Sequence, residues 1–191
     1  MKLLFTLLSF FYLTSPAVKQ ATQKPLKPIA VSNVVDDEKF PVLPDNISRL
    51  FYVQRTSNTN TIVYELNMGK NGQLDPEEPV HPYWIRYGEK GQKEELNYIQ
   101  RKFAYGITSK QTGNEQYDIR FVSYKKFPLT LMKANDGKYH IFATVNQKQM
   151  ALSRVFIKIE GGSFWLPNVK YVELRGTDPS TGREITERFK P

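Results

Sequence analysis

Short stretches in which apolar and polar residues alternate recur along most of this 191-residue chain, and they restrict its fold more than any other feature. Because side chains alternate between the two faces of a β-strand, such stretches predict strands with one buried face. Turn residues separate them at short intervals, which is typical of antiparallel all-β domains. We therefore predict a mainly β fold, either an antiparallel β-sandwich or a barrel. The stretches include RLFYVQR, NTIVYELN, VHPYWIRY, EQYDIRFVSY, KYHIFATV, ALSRVFIKI and VKYVELRGT.

One segment follows a helical period instead. Leu96, Ile99 and Phe103 recur at positions i, i+3 and i+7, and charged or polar residues lie between them. Gly106 follows them as a C-terminal stop signal. This pattern predicts one amphipathic helix over about residues 92–105, whose apolar face packs on the core or plugs one end of it.

The residues before the first strand predict an export signal and a spacer. Lys2 precedes an apolar run over residues 3–13, and Ser15 and Ala17 stand at the −3 and −1 positions of a cleavage site. The apolar run is too short to span a bilayer comfortably. We predict a signal peptide over residues 1–17, a flexible Pro- and Lys-containing spacer over 18–46, and a single β-rich domain over 47–191, with no transmembrane segment after cleavage.

Cysteine usage and charge indicate the compartment and the class of partner. The chain contains no Cys, so an exported form has no disulfides, which favours the bacterial envelope (periplasmic or secreted) over a eukaryotic secretory pathway. Its net charge of +8 favours an anionic partner, and anionic lipids and glycans are the ones that an envelope protein meets. The basic residues are scattered rather than blocked, so we predict no nucleic-acid partner. Solubility alone is the alternative explanation of the charge.

Dividing each strand by parity gives one apolar face and one face that mixes aromatic side chains with cations. This parity places Tyr83 and Ile85 in the core and Trp84 on the mixed face. The mixed face is either a solvated outer surface or a binding surface, because Arg recognises anions and aromatic rings stack on sugars. One β-bulge would exchange the two faces downstream. The candidate ligand-binding residues are Trp84, Arg86, Arg120, Tyr124, Arg154 and Tyr171, with Asn97, Gln100 and Arg101 of the helix extending the surface.

Motifs for catalysis or metal binding are sparse. The chain lacks a Cys nucleophile and a G-x-S-x-G elbow, and it has only two His. Asn67 to Glu78 matches a calcium loop in part, but we interpret the segment as a hairpin turning at Asn71 and Gly72. We predict no cofactor, no metal and no catalytic residue. A hydrolase would need a carboxylate such as Asp118, or His140, in a cleft.

Two longer stretches carry a resemblance to a known family. FYVQRTSNTNTIVYELN (residues 51–67) and PVHPYWIRYGEKGQKEELNYIQRKFAYGI (79–107) resemble an uncharacterised family of small exported bacterial proteins, the domain of unknown function number four-eight-three-three. The resemblance covers most of the chain, from about Leu50 to Phe189. It implies a shared fold, and it brings no activity, ligand or catalytic residue.

These observations together predict an exported envelope protein that binds an anionic or glycan-like ligand without catalysis. Two alternatives stay open. One is a hydrolase that acts on cell-wall or glycan material. The other is a structural or assembly protein that presents the mixed face to a protein partner.

Overall fold

The computed structural model describes residues 40–44, 46, 48–163 and 166–191. The predicted signal peptide and most of the predicted spacer lie outside the described residues. Strands dominate the described part, which confirms the prediction of a mainly β fold with one helix. The elements are β1 (Arg49–Arg55), β2 (Asn58–Leu66), β3 (Val80–Ile85), β4 (Lys93–Glu95), a short π-type helix (Gln100–Ala104), β5 (Ile107–Gly113), β6 (Gln116–Phe121), β7 (Tyr124–Lys133), β8 (Tyr139–Val145), β9 (Lys148–Gly162), β10 (Pro167–Thr177) and β11 (Glu184–Phe189).

Strand β9 is the axis of the single sheet, because it pairs with three other strands. Ala151 pairs with β8 on one side and with β10 on the other, whereas Val155 pairs with β1 and with β10. Strands β8 and β1 therefore share one edge of β9, and β10 followed by β11 occupies the other edge. The β1–β9 pair is parallel, and the other strand pairs of the described chain are antiparallel.

Sharing one edge splits the sheet into two wings. The first wing is β1–β4 and the second wing is β5–β8, and the sheet curls into an open half-barrel. Phe51 and Tyr64 of the first wing stack with ring centroids 4.4 Å apart, and both meet Phe121 of the second wing edge-on, at 6.0 and 5.7 Å. Phe127 of β7 stacks on Phe189 of β11 at 5.4 Å. These contacts place the main core on the inner faces of the wings, where each large apolar side chain contributes about 1.5–3 kcal/mol by burial.

The predicted parity is wrong in β3. Trp84 is only 2% exposed and lies in the main core opposite Ile62. Tyr83 lies opposite Val63 in a second apolar cluster on the outer face. Both faces of β3 are covered, so apolar residues occupy consecutive positions and alternation carries no information about which face is inside. The register between β2 and β3 decides which side chains of β3 face the main core.

The helical region is shorter than predicted. Residues 93–95, within the predicted helix, form β4 and pair with β3. The turn that follows is closed by a reciprocal pair of hydrogen bonds. The backbone N–H of Gln100 donates to Asn97 Oδ1 at 2.9 Å, and the backbone N–H of Asn97 donates to Gln100 Oε1 at 3.1 Å.

The predicted apolar face of the helix packs only in part. Leu96 is buried in the main core, whereas Ile99 and Phe103 are exposed. Gly106 follows the helix as predicted, and its conformation leaves no room for a side chain. A Cβ atom at this position would lie 1.9 Å from the carbonyl oxygen of Arg101.

Candidate functional site

The half-barrel encloses an apolar cavity of about 390 Å³. Both wings, strands β9 to β11 and the helix contribute to its wall. Alternate residues of β9 (Val155, Ile157 and Ile159) face the cavity because they share one side of that strand. A concave, mostly apolar space of this size is typical of small-molecule binding sites.

Arg55, at the end of β1, is the one charged side chain in the described wall of this cavity. Its Nε atom is buried and donates to no acceptor in the part of the chain that the structure describes. The guanidinium carbon lies 5.7 Å from the ring centroid of Tyr105, which is a cation–π distance. A buried donor without an acceptor costs free energy, so an anion that entered the cavity would meet a cation ready to bind it.

A second arginine near Tyr105 is already neutralised. Trp84 meets Tyr105 edge-on at 4.9 Å, and the guanidinium carbon of Arg86 lies 5.0 Å from the Trp84 ring. Arg86 donates two hydrogen bonds of 2.8 Å to Glu94, and these bonds raise the pKa of Arg86. Burial raises the pKa of Tyr105, and the charges of the two arginines oppose that effect. Of the two cations beside Tyr105, Arg55 is therefore the one left for a ligand.

Two hydroxyl groups in the wall, those of Tyr64 and Ser123, hold the helix end in place. Tyr64 Oη donates to the carbonyl oxygen of Tyr105 at 2.8 Å, and burial raises the pKa of Tyr64 well above its usual value. Ser123 Oγ donates to the carbonyl oxygen of Ala104 at 2.7 Å. These bonds satisfy polar groups that would otherwise face the cavity, so the wall stays largely apolar.

Part of the mixed face is covered by residues 40–44. Arg154 Nε donates to Gln54 Oε1 at 2.9 Å, and Gln54 Nε2 donates to the carbonyl oxygen of Pro41 at 2.9 Å. Phe40 packs edge-on against Phe156 at 5.1 Å, and the guanidinium carbon of Arg154 lies over both rings, at 5.9 and 5.3 Å. Desolvation lowers the pKa of Arg154. This predicted ligand-binding arginine therefore has partners within the chain.

Ion pairs between side chains stabilise another part of the mixed face. Glu173 is buried on the outer side of β10, where Arg175 Nε and Arg188 Nε each donate to it at 2.7 Å. The guanidinium carbon of Arg188 lies 4.7 Å from the ring centroid of Tyr171. Tyr171 also lies 6.2 Å from Phe156, so Tyr171 and Arg154 share one surface through that ring.

The other predicted residues do not join Arg154 and Tyr171 on one surface. Trp84 is in the core, and Tyr124 lines the cavity. Arg120 Nε donates to Asp118 on β6 at 2.9 Å. Asn97 caps the helical turn, and Arg101 lies 3.7 and 3.8 Å from Glu78 and Glu95.

Sequence reasoning missed Arg55, although the sequence contains a signal for it. Phe51, Val53 and Arg55 occupy alternate positions of β1, so the arginine has the inward parity of two buried residues. A cation in the inward register of a strand is unusual, because buried charges are rare unless paired. The rarity of unpaired buried charges therefore identifies Arg55 as a candidate site residue from its position in the strand alone.

Two further findings concern only the residues that the structure describes. No group of three or more His, Asp and Glu side chains is placed to hold a metal ion. No helix is long and apolar enough to cross a bilayer.

The chain matches one family model. The model, described as Domain of unknown function (DUF4833), covers residues 51–188, which is well over half of the chain. No curated protein and no solved structure matches the chain. The residues that build both wings and the cavity fall almost entirely within the matched range, and the chain belongs to the DUF4833 family.

Proposed function

We propose that this chain is an exported, non-catalytic binding module of the bacterial envelope, and that its cavity holds a ligand with an apolar body and one anionic group. The observation that carries the proposal is Arg55, whose buried Nε has no acceptor among the described residues and faces an apolar cavity. The predicted signal peptide supports the location.

The two parts of such a ligand would bind by different forces. The apolar wall would stabilise the body by about 25 cal/mol for each Å² that leaves water. The guanidinium group of Arg55 would bind a carboxylate or phosphate through charge-assisted hydrogen bonds, each worth about 1.5–3 kcal/mol. The ring of Tyr105 already lies against this guanidinium group, which restricts its orientation before a ligand arrives.

The same wall favours an anionic amphiphile over a glycan. A sugar presents hydroxyl groups on most of its surface, and burying them without hydrogen bonds costs free energy. The Tyr64 and Ser123 hydroxyls already donate to backbone carbonyls. The other polar side chains of the described wall are Arg55, Tyr105 and Tyr124, which are too few to pair with the many hydroxyl groups of a glycan.

The cavity also supports binding over hydrolysis. Asp118 accepts a hydrogen bond from Arg120, and His140 Nε2 lies 2.9 Å from Asp136. Neither Asp118 nor His140 lines the cavity. A hydrolase would need a carboxylate or a histidine beside the bound ligand, and the described wall of the cavity contains no Asp, Glu or His side chain.

The test compares decanoate with decanol, which share an apolar chain and differ in charge. Decanoate at a hundredfold its dissociation constant should stabilise the protein by about 2.7 kcal/mol. That corresponds to a rise of roughly 5–10 °C in the melting temperature of a domain of this size. Decanol should give a smaller rise, because it lacks the charge that Arg55 would bind.

Two arginine variants locate the site. Arg55→Gln should weaken decanoate binding about tenfold or more, because it removes the charge-assisted bonds. Arg120→Gln should bind like wild type, because Arg120 is paired with Asp118 and lies outside the cavity wall. Equal affinity of Arg55→Gln and wild type for decanoate would contradict the proposal.

A further inference from the structure

Exposed apolar side chains are concentrated at the mouth of the cavity. The described residues include six large apolar side chains that are exposed, and four of them either line the cavity or are next in sequence to a residue that does. Tyr98, Ile99 and Phe103 belong to the helical turn, and Leu166 directly precedes Pro167 of the cavity wall. These four residues, between 45% and 80% exposed, are called the rim below.

The rim is continuous with the interior of the cavity. Ile99 and Phe103 contribute to the cavity wall and are also exposed to solvent. Leu96 of the same segment is buried, so the turn already has an anchored side and presents a second apolar side outward. Exposed apolar patches of this kind mark surfaces that contact another apolar phase.

A cation lies within the rim. Lys102 Nζ is 5.1 Å from the ring centroid of Tyr98 and 5.5 Å from that of Phe103, and it donates to Tyr98 Oη at 2.7 Å. No carboxylate of the described residues lies within ion-pair distance of Lys102. Aromatic side chains beside lysine are typical of proteins that bind the interface of an anionic bilayer.

We propose that the rim is a contact surface for an anionic lipid bilayer, in which Ile99 and Phe103 enter the interface and Lys102 faces the lipid phosphates. The net charge of +8 complements such a surface. Contact through the rim would open the cavity toward the acyl chains, so an apolar ligand could enter without crossing water. This inference goes beyond ligand binding and holds or fails independently of it.

The test is co-sedimentation with vesicles of phosphatidylcholine alone or of phosphatidylcholine mixed with phosphatidylglycerol. The protein is the exported form, with its amino terminus determined by mass spectrometry, because an uncleaved apolar leader would itself bind vesicles. The partition coefficient of the double variant Ile99→Ser with Phe103→Ser for mixed vesicles should be about tenfold or more below that of wild type. Val42→Ser, which changes an apolar residue that is more exposed than Ile99 or Phe103 and lies outside the cavity wall, should partition like wild type.

A charge variant separates electrostatic from apolar contact. Lys102→Gln should weaken binding to mixed vesicles several-fold and leave binding to phosphatidylcholine vesicles unchanged, because each lysine near an anionic surface contributes about 1 kcal/mol. Lys70→Gln, an exposed lysine in the loop after β2, is the control. Melting temperatures should match wild type for all these variants, because the changed side chains are exposed.

Three results would overturn the inference. The first is wild-type protein that binds neither vesicle. The second is a double variant that binds as wild type does. The third is dimerisation that depends on the rim, seen by light scattering without vesicle binding, which would assign the rim to a second copy of the chain. Decanoate binding is measured without vesicles, so either proposal can fail while the other stands.

Discussion

Replacing Glu173 with glutamine should destabilise the fold, because this carboxylate neutralises two arginines on the outer face. Glu173 is only 3% exposed and accepts hydrogen bonds of 2.7 Å from Arg175 Nε and Arg188 Nε. The arginines hold different parts of the sheet, since Arg188 belongs to β11 and Arg175 to β10 itself. Glutamine retains one acceptor oxygen and loses the charge.

The two contacts differ in strength because the arginines differ in exposure. Arg188 is mostly buried and would keep a poorly paired charge, so this contact should cost about 1.5–3 kcal/mol. Arg175 is half-exposed and would regain water, so its contact should cost about 1 kcal/mol or less. The two contributions add to about 1.5–4 kcal/mol, which for a chain of this length lowers the melting temperature by roughly 3–16 °C.

The assay is thermal unfolding followed by circular dichroism, with Glu160→Gln as the matched control. Glu160 lies on the neighbouring strand, and its distance to Lys170 Nζ is 3.5 Å with both side chains about half-exposed. That variant should cost less than about 0.5 kcal/mol. Equal stability of Glu173→Gln and wild type at neutral pH would refute the reasoning.

The pKa of Glu173 predicts how the stability difference between wild type and Glu173→Gln depends on pH. Burial alone would raise the pKa of Glu173, but hydrogen bonds from Arg188 and Arg175 outweigh it, so the pKa lies below its usual 4.5 in the folded protein. The stabilisation is then fully present above pH 4.5 and is lost as pH falls through the lower, folded pKa. The difference in free energy of unfolding between wild type and Glu173→Gln should become smaller below pH 4.5. A difference that grows there would contradict the lowered pKa of Glu173.

Two further substitutions test how the helical turn is held at the cavity. Gly106→Ala should lower the free energy of unfolding by about 2–3 kcal/mol, because the new Cβ would meet the carbonyl oxygen of Arg101. Gly113→Ala is the control and should change the free energy of unfolding little, because the nearest neighbour of its new Cβ lies 3.6 Å away. Urea denaturation measures both values. Tyr64→Phe should lower the free energy of unfolding by about 1–2 kcal/mol, because it leaves the carbonyl oxygen of Tyr105 without its donor. Faster amide hydrogen exchange in residues 100–105, with unchanged exchange in β9, would confirm that the loss is local.

Most strands were predictable because their signals are local. RLFYVQR coincides with β1, and KYHIFATV contains β8. Alternation of apolar side chains and the turn residues between strands both act over a few positions, so the sequence contains them in readable form. The stop at Gly106 was predictable for the same reason.

Features that depend on partners distant in sequence were not predictable from local patterns. Residues 93–95 follow a helical pattern but pair with β3, because backbone hydrogen bonds to a neighbouring strand outweigh helix preferences that differ by at most about 0.7 kcal/mol per residue. Trp84 faces inward because Ile62 lies opposite it, a fact that depends on the β2–β3 register. The sequence around Trp84 is apolar at consecutive positions, so parity alone could not decide.

The sequence by itself determined that this chain forms a β-rich domain with one helix, because periodicity and turn chemistry are properties of neighbouring residues. Only the tertiary structure decided that the sheet splits along β9 and curls around a cavity. That curl places Arg55 beside Tyr105, which is fifty positions away in sequence and belongs to the segment after the helix. The environment of a charge depends on everything that packs around it, and local pattern records only the parity of the strand that carries it.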